Sequence, residues 1–162
     1  MTTAHSHPPL LATPDAIAVA AHTPVHEQPI VEAKGLWTVF GKGTEAFAVF
    51  AYDPDAPTGS GWWHWQVVNI PKEVTSLASG AGDAGKGMAP AGSLSTRNDY
   101  GATGFGGACP PKGHGVHRYQ FTVFALPKKL DLPKDASPAL TGYMVRASAL
   151  ASSTIEALYK RD

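Results

Sequence analysis

The chain has one cysteine, Cys109, so no internal disulfide can form and nothing in the composition calls for an oxidising compartment. It also lacks a charge excess: 13 basic side chains balance 13 acidic ones, and no basic stripe marks a nucleic-acid footprint. Nowhere is there an uninterrupted apolar stretch of the length a membrane-spanning helix needs. The moderately apolar segment Leu10–Ala21 is broken by Pro14 and Asp15 and has no Lys or Arg ahead of it, which argues against a secretory signal. The default expectation is a cytoplasmic protein, and 162 residues are enough for one domain with a real core.

What the chain has is concentrated. Ala51–Ile70 packs two acids, two prolines, three tryptophans and one histidine between two apolar runs. In Ala46–Tyr52, apolar residues occupy both faces of a period-2 pattern, which predicts a strand covered on both sides. Asp53-Pro54-Asp55-Ala56-Pro57 ends it, because each proline removes an N–H and holds the preceding residue extended. After the turn material Thr58–Gly61, a strand resumes at Trp62–Ile70. Its alternation puts Trp63, Trp65 and Val67 on one face and His64, Gln66 and Val68 on the other. A second concentration runs from Gly106 through Cys109-Pro110-Pro111-Lys112-Gly113 to Val116-His117-Arg118-Tyr119 and the strand Gln120–Leu126, with His117 and Tyr119 on one strand face. Asp53, His64, Cys109, His117 and Tyr119 thus make a candidate pocket.

Met1–Pro29 is rich in proline and histidine (His5, His7, His22, His26) and has no sustained period, so residues 1–29 read as an irregular arm separable from a domain over 30–162. A metal site in this arm is the sharper alternative. Trp37–Phe40 reads as a further strand, joined to the next by the turn Gly41–Thr44. Short strands and Gly/Pro turns together suggest a mainly β, antiparallel two-sheet sandwich. Gly80-x-x-x-x-Gly85-Lys86 nearly matches a phosphate-binding loop, but Gly87-Met88-Ala89-Pro90 supplies neither the hydroxyl nor the helix that such a loop needs. The order of Gly101, Gly104 and Gly106 does not fit a dinucleotide fingerprint. Ser137-Pro138 starts a helix, and Met144, Ala147, Ala151, Ile155 and Leu158 at helical spacing extend it to about Tyr159.

The residues allow three chemistries. Cys109 could act as a nucleophile with His64 or His117 as base, although no helix N-terminus follows it to activate the thiol. An Asp, two His and a Cys could hold zinc, although no pair of them has the short regular spacing of known sites. Alternatively, the histidines, the loop N–H groups and the Tyr119 hydroxyl could donate to a phosphate-type anion, with no nucleophile required. Against all three stands a bland alternative in which the histidines are satisfied core residues and Cys109 is a small apolar filler.

D-P-D-A-P (53–57), W-H-W-Q-V-V-N (63–69), T-R-N-D-Y-G (96–101) and C-P-P-K-G-x-G-V-H-R-Y-Q-F-T-V (109–123) occur in this order. Together they resemble the signatures of the phosphatidylethanolamine-binding protein family, also called the Raf kinase inhibitor proteins, in its bacterial branch. The resemblance covers roughly residues 36–159. It implies a two-sheet antiparallel sandwich with a C-terminal α-helix and a small cavity for phosphate or a phosphoethanolamine head group. By position, that cavity is lined by Asp53, His64, Cys109, Pro111, His117 and Tyr119. The resemblance also implies a cis peptide bond at Ala56–Pro57. The chain departs from the family ahead of Trp37, where the usual Asn and Ser-Pro pair are absent, and on the last helix, where Arg146 and Ser148 replace histidines and Arg146 could supply a cation.

The expectation is therefore a binding protein for a small phosphorylated ligand or anion. It is not expected to be an enzyme, to use a cofactor or metal, or to meet nucleic acid or span a membrane. Affinity for a phosphate monoester should peak near neutral to slightly acidic pH, where the histidines gain charge. A kinase- or protease-inhibitor-like interaction module is the alternative, and a cysteine- or metal-dependent hydrolase the third reading. A homodimer and a protein partner are left open.

Overall fold

The computed structural model describes residues 43–162. The expected arm over residues 1–29, its histidines and the expected strand Trp37–Phe40 lie outside the described residues.

The order of elements is β1 (Ala46–Asp53), β2 (Trp62–Pro71), β3 (Leu94–Ser95), β4 (His117–Leu126), α1 (Pro138–Ser148) and β5 (Ala151–Tyr159). The strands form one antiparallel five-stranded sheet in the order β3-β2-β1-β4-β5. β1 is central and buried on both faces, as its double-sided apolar pattern predicts. On one face Phe47, Val49, Trp65, Val67, Phe121 and Val123 pack under Val74, Leu77 and Phe105, which lie in the long connections. On the other, Phe50, Val68, Phe124 and Leu126 pack under Leu130, Leu132 and the helix residue Val145. The mainly β, antiparallel expectation holds. A second sheet is not found among the described residues, where one helix and irregular segments cover the faces.

The helix starts where expected: the Ser137 hydroxyl accepts the Leu140 N–H at 3.2 Å, and Pro138 opens the first turn. It does not run to Tyr159. It stops at Ser148, and the chain turns back through the Leu150 N–H bonded to the Ala125 carbonyl at 2.9 Å, then forms the edge strand β5 beside β4. Ala151, Ile155 and Leu158 fit a helical period, but Ala151, Ser153, Ile155 and Ala157 fit a period of two equally well, and their alternating partial burial shows which period prevails. Ser152-Ser153-Thr154-Ile155 is a run of weak helix formers that gains a full ladder of partners on β4. The expected C-terminal helix is therefore shorter and is followed by a strand.

β2 carries an extra residue against β1 in two places. Phe47 pairs with Ile70 and Val49 with Val67, and at this bulge Asn69 has a φ of 59°. Its side-chain amide donates to the Leu130 carbonyl at 2.9 Å and accepts the Leu130 N–H at 2.7 Å. The second bulge falls between the pairs Ala51↔Trp65 and Tyr52↔Trp63. It corrects the simple alternation: Trp63 packs on Phe50 and Tyr52, with ring centroids 5.5 Å and 4.4 Å away, while His64 and Trp65 both turn toward the opposite face. The bulge thus aims His64 at Tyr119.

Candidate functional site

Asp53 ends β1 on the stiff acid-proline loop. Its Oδ1 accepts the Asp55 N–H at 2.8 Å, which closes a local turn, and its Oδ2 lies 2.7 Å from Nδ1 of His117 at the start of β4. Both side chains of that pair are almost fully buried, at 3% and 1% exposure. The turn is made by this bond and by the Thr58 N–H donating to the Ala56 carbonyl at 2.8 Å. The Ala56–Pro57 bond is trans, as are all the others among the described residues, contrary to the cis bond expected. With those two hydrogen bonds closing the loop, the peptide keeps the isomer that is more stable for X-Pro.

Asp55, the second acid of the motif, binds Arg118 with both carboxylate oxygens: Nη2 donates at 2.8 Å and Nε at 2.9 Å, and the Arg118 backbone N–H donates at 2.8 Å. These bonds hold its carboxyl down to about 2. They also fasten the start of β4 to the loop, so that His117 and Tyr119, on either side of Arg118, point inward. Tyr119 stacks on His117 with centroids 6.5 Å apart, and His64 meets Tyr119 edge-on at 5.3 Å. On its outer side His117 Nε2 lies 2.7 Å from Nδ1 of the exposed His114.

The R-N-D-Y segment supplies a further wall. The Asn98 amide donates to the carbonyls of His64 at 3.3 Å and Gly104 at 2.8 Å, and its oxygen accepts the N–H groups of Tyr100 at 3.0 Å and Ala102 at 3.1 Å. Asp99 accepts the Trp63 N–H at 2.7 Å. The folded-back loop carries Tyr100 over the site, with its hydroxyl 3.4 Å from His64 Nδ1 and its ring 5.2 Å from that of Trp62. Gly106 makes this approach feasible, since a β-carbon there would run into the Tyr100 ring.

These elements enclose an open cleft of about 270 Å³. All six residues expected from the sequence, Asp53, His64, Cys109, Pro111, His117 and Tyr119, line it. Trp62, Tyr100 and Pro110 do so as well, together with Ala56, Pro57 and Thr58 of the loop. The T-R-N-D-Y-G motif pointed to Tyr100 without giving it a role, and Trp62 could have been suspected from its place beside the glycine turn. Arg146 does not contribute: its guanidinium sits 5.5 Å from the Phe124 ring centroid, on the other face of the sheet.

Three polar atoms of cleft-lining side chains are buried without a well-formed hydrogen bond: Trp62 Nε1, His64 Nε2 and the Tyr119 hydroxyl. Burial pushes the His64 pKa below its ordinary value, opposed by a marginal hydrogen bond to the Gly107 backbone carbonyl and by the Asp53 and Asp99 carboxylates. Burial likewise pushes the Tyr119 and Tyr100 phenols up, so both keep their protons and can donate throughout the physiological range. With the Tyr100 O–H donating to Nδ1, a neutral His64 carries its own proton on Nε2. The cleft then offers three neutral donors, the Trp62 indole N–H among them.

The other chemistries find less support in the geometry. The Cys109 sulfur is exposed, and its hydrogen-bond partner among the described residues is Arg161 Nη1 at 3.0 Å rather than a histidine. No group of three or more His, Cys, Asp or Glu among the described residues is arranged to hold a metal ion. In the glycine-rich loop, Asp83 accepts the Gly85 N–H at 2.9 Å and pairs with Lys86 at 3.7 Å, and successive turns replace the helix that a phosphate loop requires. No helix of the described residues is long and apolar enough to cross a membrane.

Comparison with known proteins gives a consistent picture. The family described as phosphatidylethanolamine-binding protein matches residues 27–160. The Escherichia coli protein YbcL is 51% identical over 125 residues, covering 76% of this chain and 68% of that protein. The Escherichia coli protein YbhB is 49% identical over 124 residues, covering 76% and 77%. The crystal structure of YbcL, described as a new member of the mammalian family, superposes with a TM-score of 0.73 over 75% of each chain. A homologue from Chlamydia trachomatis, at 24% identity, shares the fold with a TM-score of 0.63 over 76% of each chain.

Proposed function

Because the chain belongs to the phosphatidylethanolamine-binding protein family, we propose that its cleft binds a phosphate-type anion, either free or as a phosphoethanolamine head group, and that the protein works by binding rather than by catalysis. The observation that carries this reading is the set of buried, under-satisfied donors, Trp62 Nε1, His64 Nε2 and the Tyr119 hydroxyl, on one cleft. An unpaired buried polar group is costly, and ligand oxygens that accept from these donors would remove the cost. The stacked His117 and the Asp53 carboxylate behind it fix the Tyr119 ring, so the donors are positioned before the ligand arrives. Asp53 also offers a carboxylate oxygen near the ammonium of an ethanolamine group.

Binding needs no nucleophile, and the exposed thiol of Cys109 has a guanidinium rather than a base beside it. An exposed lone thiol stays reduced in the cytoplasm, which is the compartment we propose. A role as an inhibitory interaction module would use the outer surface and would leave these buried donors without a purpose.

A chemical-shift titration with phosphoethanolamine tests the reading. Saturable shifts on the Tyr119, His64 and Gly107 amides are expected, with at least about tenfold weaker binding in His64→Ala from the loss of one buried donor. Equal affinity in the variant, or no saturable binding in the wild type, would overturn it.

A further inference from the structure

Among the described residues, those lining the cleft include one carboxylate, Asp53, which is already paired with His117, and no lysine or arginine. A phosphate monoester is a dianion above its second ionisation, near about pH 6. Three neutral donors on the cleft wall leave most of that charge uncompensated. Any cation must therefore come from the rim.

The cations on that side are mostly committed. Arg118 is held by Asp55, and Lys160 pairs with Asp162 at 2.7 Å. Arg161 differs. Strand β5 pairs with β4 in register from Ala151↔Ala125 to His117↔Tyr159, so the two residues after the strand lie beside the start of β4, which carries His117. The Arg161 carbonyl accepts the Gly113 N–H at 3.0 Å, which ties this segment to the Cys-Pro-Pro loop. Its guanidinium Nη1 donates to the Cys109 sulfur at 3.0 Å, and Cys109 lines the cleft. No carboxylate among the described residues pairs with it. A thiol sulfur is a weak acceptor, so it gives up the guanidinium to an anion at little cost.

We infer that Arg161 is the specificity-determining cation of the cleft, selecting phosphate monoesters over phosphodiesters. This rests on the reading of the cleft as a phosphate-type site. A monoester has three terminal oxygens. With one or two of them on His64 and Tyr119, another faces the mouth, where the planar guanidinium can meet it. A diester has only two terminal oxygens and a single charge, and it presents a bridging oxygen to the mouth instead. Arg161 thus strengthens monoester binding and adds little to diester binding. Lys112, exposed at the tip of the same loop, lacks such an anchor and supplies only a screened, long-range field.

The test compares phosphoethanolamine with glycerophosphoethanolamine at pH 8 by titration calorimetry, since both carry the same ammonium group. The wild type should prefer the monoester by about tenfold, the scale of one charge-assisted hydrogen bond at a half-exposed position. In Arg161→Gln the preference should fall to about twofold or less, with diester affinity kept. Arg161→Lys should fall between the two, and Lys112→Gln should shift both ligands alike. Monoester affinity in the wild type should also drop more steeply with salt than diester affinity. The lysine variant and the salt series keep the test decisive should Arg161→Gln melt early. If both ligands bind and the ratio is unchanged in the Arg161 variants, the inference fails and the cleft reading stands. If neither ligand binds the wild type, both fail.

Discussion

Asp53 and His117 are 64 positions apart in sequence and 2.7 Å apart in the fold, a buried carboxylate–imidazole pair that joins the end of β1 to the start of β4. Each strand end is held by the other, and the Tyr119 ring stacks on the imidazole so fixed. Removing one partner leaves the other buried without compensation. Asp53→Ala should therefore cost on the order of 3 kcal/mol or more of stability, measured by urea denaturation, while Asp53→Asn, which keeps an acceptor, should cost less. A cost below about 1 kcal/mol for Asp53→Ala would show that the pair is not structural.

His64 makes the protein sensitive to acid. Its folded pKa is depressed by burial below the 6.5 of a free histidine, so the unfolded chain takes up the proton first. The stability it contributes is complete above that value and is lost as pH falls through the folded pKa. The denaturation midpoint should decline below about pH 6.5, and less so in His64→Gln. An anion in the cleft favours the charged imidazole, so binding near pH 6 should be accompanied by net proton uptake that is absent in the variant. Calorimetry in two buffers of different ionisation heat measures it. The affinity optimum expected from the histidines thereby moves toward the acidic side for His64's share.

Cys109 lines the cleft, but its sulfur serves only as a weak acceptor for Arg161. Cys109→Ala should leave phosphoethanolamine affinity within about threefold, because the guanidinium can still reach the ligand. Abolition of an esterase turnover by this substitution would bring back the hydrolase reading.

Gly106 is where the two loops come closest. Gly106→Ala should push the Tyr100 ring off His64, lowering both thermal stability and ligand affinity, the latter by about tenfold as the orientation of the imidazole is lost. An intact melting curve with unchanged affinity would mean that the loop absorbs the methyl group elsewhere.

Three of the four short motifs made six of the cleft residues legible in the sequence, because each sits at a strand end or in a rigid loop where local chemistry dictates the direction. The bulge at His64 was not legible, since a period of two cannot show an inserted residue, and the face assignment of Trp63 and Trp65 failed there. β5 was hidden by a coincidence of spacing at Ala151, Ile155 and Leu158, which tertiary pairing with β4 resolved. Arg161 left no local signal at all: its place depends on the register of that edge strand and on one bond to Gly113. Arg146, the cation that family position suggested, lies over Phe124 instead.

The sheet order has a consequence for synthesis on the ribosome. β1 and β2 can close as a hairpin as soon as they emerge, but the other neighbour of β1 is β4, which reaches from His117 to Leu126. Until that strand leaves the exit tunnel, Asp53 has no imidazole beside it and one flank of the central strand is open to other chains. The nascent protein is thus most vulnerable to misassociation while the glycine-rich connections between β2 and β4 are being made.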